Sequence, residues 1–114
     1  MAMIFGKTIT ITGIIVASGG RGQYGSNTNS ANGGAAAGGS VLLKAEVATL
    51  GTTKITALGG VAYTNSAWGA YGGNGAVGRI HLDYSVSYTG TTNPTIDATE
   101  TLYNKNTGAF FQFL

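Results

Sequence analysis

Ile80, Leu82, Tyr84, Val86 and Tyr88 alternate with Arg79, His81, Asp83, Ser85 and Ser87. An apolar residue at every second position marks a β-strand with one buried and one wet face. The same alternation predicts a strand in which Val41, Leu43, Ala45 and Val47 interleave with Leu42, Lys44, Glu46 and Ala48. It predicts a shorter one where Ile9 and Ile11 sit between Thr8, Thr10 and Thr12. β-Branched and aromatic residues dominate these runs. No window carries a convincing helical period, so the pattern predicts an all-β fold.

The strands recur. Gly39-Ser40-Val41-Leu42-Leu43 matches Gly78-Arg79-Ile80-His81-Leu82, and Gly51-Thr52-Thr53 matches Gly90-Thr91-Thr92. Ile15-Val16-Ala17-Ser18-Gly19-Gly20 matches Ile55-Thr56-Ala57-Leu58-Gly59-Gly60, with Ile96-Asp97-Ala98 as a degraded third copy. The period is about 40 residues, within the range of stacked repeat architectures. One unit is a strand, a Gly-Thr-Thr turn, a short strand, a Gly-Gly pair and a long glycine-rich tract. Such a unit cannot bury its apolar face alone, whereas stacked copies can. The expectation is a single domain over 1–114, with units at about 1–38, 39–77 and 78–114. They form a short glycine-rich β-solenoid or β-sandwich of two to three stacked repeats.

Composition changes the picture at the connections. Glycine is more than twice as abundant as usual, with 20 residues in 114. It concentrates in two tracts, 18–39 and 59–78, alongside Ala, Asn and Ser. Structureless loops of that length are uncommon in a compact domain. Their similar lengths favour order, as polyproline-II-like segments that approach closely because glycine has no side chain.

Charge and residue chemistry narrow the function classes. Charged residues make up 9% of the chain, and the net charge is +2 without a basic cluster. Nucleic-acid binding, which needs clustered Lys and Arg, is not expected. There is no cysteine, hence no disulfide or thiolate chemistry. No apolar run is long enough to span a membrane. Val16-Ala17-Ser18 resembles a signal cleavage site, but Thr8, Thr10 and Thr12 interrupt the apolar segment before it.

Gly20-Arg21-Gly22-Gln23-Tyr24-Gly25 fits a dinucleotide-binding fingerprint, yet no amphipathic helix follows to receive a pyrophosphate. Arg79, His81, Asp83 and Ser85 share a strand face. Next neighbours there are roughly 7 Å apart, which is wide for a catalytic triad. The set is expected to be a solvated face with local charge pairing. No carboxylate pair suggests a glycosidase. The threonine triplets are too unevenly spaced for a crystal-matching face, and β-propensity and turn chemistry account for them. No catalytic residue, cofactor or metal site is expected.

Aromatic residues are the softer signal. Tyr24, Tyr63, Trp68 and Tyr71 lie in the glycine-rich tracts and are the candidate ligand or interface residues. Rings beside small polar groups can stack on sugars or anchor a protein interface. Strand edges at the two ends of a stack invite pairing. The apolar termini, with Ile4, Phe5, Phe110, Phe111 and Phe113, are the candidate assembly ends.

The runs Gly78-Arg79-Ile80-His81-Leu82-Asp83-Tyr84 and Tyr88-Thr89-Gly90-Thr91-Thr92-Asn93-Pro94 resemble the glycine-rich repeat regions of phage tail-fibre and bacterial surface or adhesin proteins. So do Gly39-Ser40-Val41-Leu42-Leu43-Lys44-Ala45 and Ala48-Thr49-Leu50-Gly51. In such proteins these regions are spacer or adhesive β modules. The resemblance spans most of residues 18–98 and implies a non-catalytic subunit that assembles into, or decorates, an extracellular or virion fibre. Self-association into an oligomer or filament follows as the main partner expectation. A glycan-binding adhesin module, using the exposed aromatics, is the alternative.

Overall fold

The computed structural model describes residues 1–25, 31–64, 71–104 and 109–111, and for 102–104 and 109–111 the backbone alone. The described residues contain strands and no helix. Two long strands dominate: β4 (Ser40–Thr56) and β5 (Arg79–Asn93). On one side of β4 run three short strands, β1 (Ala2–Phe5), β2 (Thr8–Thr10) and β3 (Ile15–Val16). On the far side of β5 lies β6 (Asp97–Glu100). All six form one sheet, and every pairing in it is parallel. A separate antiparallel pair, β7 (Leu102–Asn104) and β8 (Ala109–Phe111), follows.

The repeat is written into the register. Ala2 pairs with Val41, and Val41 with Ile80, a step of 39 residues each time. Ile15 pairs with Ile55, so the two copies of that motif are direct neighbours. Thr52 pairs with Thr91. Gly51 and Thr53, with φ of 71° and 51°, and Gly90, with φ of 110°, form a bend at equivalent places in β4 and β5. Positive φ is nearly free for glycine, which is why the Gly-Thr-Thr signal recurs there.

The alternation breaks before that bend, between Ala45 and Ala48 in β4 and around Val86 in β5. Val41, Leu43 and Ala45 are buried in β4, but the next buried residue is Ala48 rather than Val47. In β5, Ile80 and Leu82 are buried, whereas Val86 is 60% exposed. Ala45 pairs with Tyr84 and Val47 with Ser87, so Ser85 and Val86 together oppose Glu46. That is a β-bulge in β5, in which an extra residue shifts which side chains face inward; in β4 the phase changes where the N–H groups of Glu46 and Val47 both donate to the Lys7 carbonyl. The strict alternation expected through Val47 and Val86 is corrected accordingly.

A second correction concerns the degraded copy. Asp97 pairs with His81 and Ala98 with Leu82, so Ile96-Asp97-Ala98 repeats the strand-opening motif. The counterparts of Ile55 and Thr56 are Thr92 and Asn93. After Asn93 the chain turns at Pro94 and starts β6 without a glycine-rich excursion.

One apolar core serves the whole sheet. Val41, Leu43, Ala45, Ala48, Leu50, Ile55 and Ala57 all point into it, joined by Ile9, Ile80 and Leu82. Tyr84 and Tyr88 pack against it and meet each other edge-to-face, with ring centroids 5.0 Å apart. The backbone N–H of Gly78 donates to the Ala57 carbonyl, which places the end of the β4 segment beside the start of β5.

The described parts of the glycine-rich tracts are ordered by backbone hydrogen bonds. Gly19 and Gly22 donate to the carbonyls of Leu58 and Val61, and Ala35 and Gly38 to those of Gly73 and Ala76. Donors in each pair are three residues apart, and so are acceptors. Three residues per turn is the period of the polyproline-II helix. A second set runs crosswise: Gly75 donates to Gly60, Gly60 to Ala36 and Ala36 to Gly20. At Gly60 a Cβ would run into the Gly20 carbonyl, so the spacing between these segments excludes any side chain there.

Candidate functional site

Two side-chain clusters stand out. The first is on the wet face of the sheet. His81 Nδ1 lies 3.0 Å from Asp97 Oδ2, and His81 Nε2 lies 3.1 Å from Asp83 Oδ1. The 7 Å spacing of strand neighbours therefore did not prevent the His81–Asp83 contact, because both side chains lean toward each other. Asp97 enters from β6 through the His81↔Asp97 register.

A neutral imidazole has one N–H and can donate to one carboxylate, whereas the protonated ring can donate to both. Burial pulls the His81 pKa down, but hydrogen bonds to Asp97 and Asp83, with their charge, outweigh it and leave it above the ordinary 6.5. Ser85 Oγ is buried and has no hydrogen-bond partner among the described residues. Because both ring nitrogens are already held by carboxylates, none is left to activate that hydroxyl. The cluster is the local charge pairing that the alternation suggested. Among the described residues no group of acidic and histidine side chains is arranged to hold a metal ion.

The second cluster lies in the tracts. Tyr24 and Tyr63 are 39 positions apart, and their rings meet at 5.2 Å between centroids with a 48° tilt. The guanidinium carbon of Arg21 sits 5.0 Å from the Tyr63 ring centroid, within cation–π range. Asn32 is buried and ties the backbone beneath them. Its Nδ2 donates to the Tyr63 carbonyl at 3.1 Å, and its Oδ1 accepts from the Gly25 N–H at 3.3 Å. Asn74 Oδ1 accepts from the Ala62 N–H at 2.7 Å, bracing the same segment.

Of the aromatics singled out from sequence, Tyr24 and Tyr63 are thus brought together, with Tyr63 half-buried and Tyr24 55% exposed. Tyr71 is 60% exposed and makes no ring contact with them. Trp68 lies outside the described residues. Arg21, Asn32 and Asn74 were missed as site residues. The 39-residue spacing of Tyr24 and Tyr63 was the signal that could have found the pair.

At the candidate assembly ends, Ile4 packs against the core while Phe5 and Met3 are largely exposed on β1. Phe110 and Phe111 belong to β8, and Phe113 lies outside the described residues. The threonines line up across three strands at Thr10–Thr49–Thr89 and across two at Thr52–Thr91, exposed throughout. The adjacent column, Thr8–Val47–Ser87, is mixed.

No protein-family model, curated protein or solved structure matches this chain. The functional reading therefore rests on the chain's own geometry. No helix among the described residues is long and apolar enough to cross a membrane.

Proposed function

We propose that this chain is a non-catalytic structural module whose strands wind as a short β-solenoid and whose ends join copies into an extracellular or virion fibre. The winding is supported by the shared core of successive β4 stretches and by the Gly78-to-Ala57 hydrogen bond. The observation that carries the assembly reading is the repeated parallel register. The same 39-residue step joins β1 to β4 and β4 to β5, and among the described residues β1, β2 and β3 pair on one side only. An unpaired parallel edge continues naturally with another rung of the same kind. Exposed Met3 and Phe5 flank that edge with apolar surface.

Light scattering and negative-stain microscopy of the purified chain test this. Oligomers or filaments are expected, and Phe5→Lys should shift them to monomer without changing the β signature in circular dichroism. Monomers alone at high protein concentration would remove the assembly reading.

The Arg21–Tyr63–Tyr24 cluster supports a second role, glycan binding by the same module. An exposed tyrosine ring on a backbone pinned by Asn32 offers a flat apolar face beside hydrogen-bonding groups, the combination that sugar rings use.

A further inference from the structure

The two glycine-rich tracts, 18–39 and 59–78, contain a single charged residue, Arg21. All four acidic residues of the chain, Glu46, Asp83, Asp97 and Glu100, belong to the strands. The ion pairs that His81 makes with Asp83 and Asp97 do not involve Arg21. The guanidinium is exposed, held over the Tyr63 ring, and has no carboxylate partner among the described residues.

A guanidinium over an aromatic ring loses little of its hydrogen-bonding capacity, because its planar fork still presents donors matched to a carboxylate. Beside it Tyr24 presents a ring that is 55% exposed. The base beneath is tied by hydrogen bonds. Gly22 is buried and donates to the Val61 carbonyl at 3.1 Å, Gly33 donates to the Gln23 carbonyl at 2.9 Å, and Asn32 bridges to Tyr63. Arg21, Tyr24 and Tyr63 therefore rise from a platform whose backbone is already ordered, which lowers the entropy cost of binding.

We propose that Arg21, Tyr24 and Tyr63 form a binding site for a carboxylate-bearing sugar, with Tyr24 stacking on the ring and Arg21 taking the acid group. This rests on the glycan-binding reading above and sharpens it to acidic saccharides. The scale of the site favours a sugar over a protein carboxylate, since one cation and one open ring match a single pyranose. A phosphate polymer would call for several cations, and the tracts hold one.

Heteronuclear NMR titration of the full chain tests the proposal at physiological salt. The probes are oligogalacturonate, its methyl ester, sialyllactose, lactose and polyglutamate. At least one acid sugar should give saturable shifts at Arg21, Tyr24 and Tyr63, with affinity about tenfold or more above its neutral counterpart. Arg21→Gln should erase that difference, and Tyr24→Ala should weaken acid and neutral sugars alike. Both side chains are exposed, so the fold should survive either change. The acid-to-neutral ratio in the unaltered protein decides the matter without any variant.

Equal binding of acid and neutral sugars would overturn the acidic specificity while leaving the glycan reading standing. Absence of binding by every sugar would remove both. Polyglutamate binding as tightly as the acid sugars, or shifts confined to other residues, would overturn the proposal in favour of a protein partner or another site.

Discussion

The strands and the glycine-rich tracts solve one packing problem in opposite ways. In β4 and β5, neighbouring strands are held by side chains that meet in a core, with Leu43, Leu50, Ile55 and Leu82 at 0% exposure. In the tracts, neighbouring segments are held because side chains are missing, so that carbonyls and N–H groups of adjacent copies bond directly. A repeat of about 39 residues runs through both regions, with local steps that differ by a residue or two. The lesson is that one period can be stabilised by apolar burial in one half of a unit and by backbone proximity in the other.

The contrast can be broken most directly in the core. Leu43→Ala removes a fully buried side chain and should destabilise the chain by about 3 kcal/mol, in line with leucine truncations elsewhere. Urea unfolding should show that loss across the whole sheet. In the tracts the sign of the substitution reverses: adding atoms should do the damage. Gly60→Ala drives a methyl group into the Gly20 carbonyl and should cost about 1–3 kcal/mol. Gly73→Ala meets nothing within 4 Å and should stay within about 0.5 kcal/mol of wild type. Hydrogen exchange should localise the Gly60→Ala loss to the amides of Gly60, Gly75 and Ala36 if the tracts open independently of the core. Uniform loss at every amide would mean that the two regions unfold as one.

At the bend within β4, Gly51 has a φ of 71°, and Gly51→Ala should cost about 1–2 kcal/mol. Lys54 Nζ donates to the carbonyls of Ile11 and Thr12 at 3.2 and 2.8 Å across this bend. The smallest effect concerns the β5–β6 pair. The folded His81 pKa is raised, so the stability it contributes is fully present below the unfolded value near 6.5 and is lost as pH rises through the folded value. Asp97 is 69% exposed, so solvent screening keeps this contribution under about 1 kcal/mol. The chain has one histidine, so its imidazole NMR signals report the titration directly. Asp97→Asn should lower the His81 midpoint and flatten the pH dependence of the thermal midpoint between mildly acid and mildly alkaline buffer.

The alternation around Leu43 and Leu82, the repeat and the Gly51 and Gly90 bends were legible in the sequence, because each depends on neighbours along the chain or on identity at a fixed spacing. The phase of Val47 and Val86 was not, since a bulge is decided by how two strands of unequal length are matched. Tyr24 and Tyr63 could be named as candidates, but Arg21 and Asn32 acquired meaning only when the tracts were laid side by side.

Taken alone, the sequence determined that this chain builds β-strands from a repeat of about 40 residues, because strand periodicity and glycine's freedom at positive φ are local properties. Only the tertiary structure decided which side chains from different repeats would meet, as His81 meets Asp97 and Arg21 meets Tyr63. Those encounters depend on the stacking register and on the close approach of the tracts. Both are set by contacts between residues far apart in the chain, which no local pattern encodes.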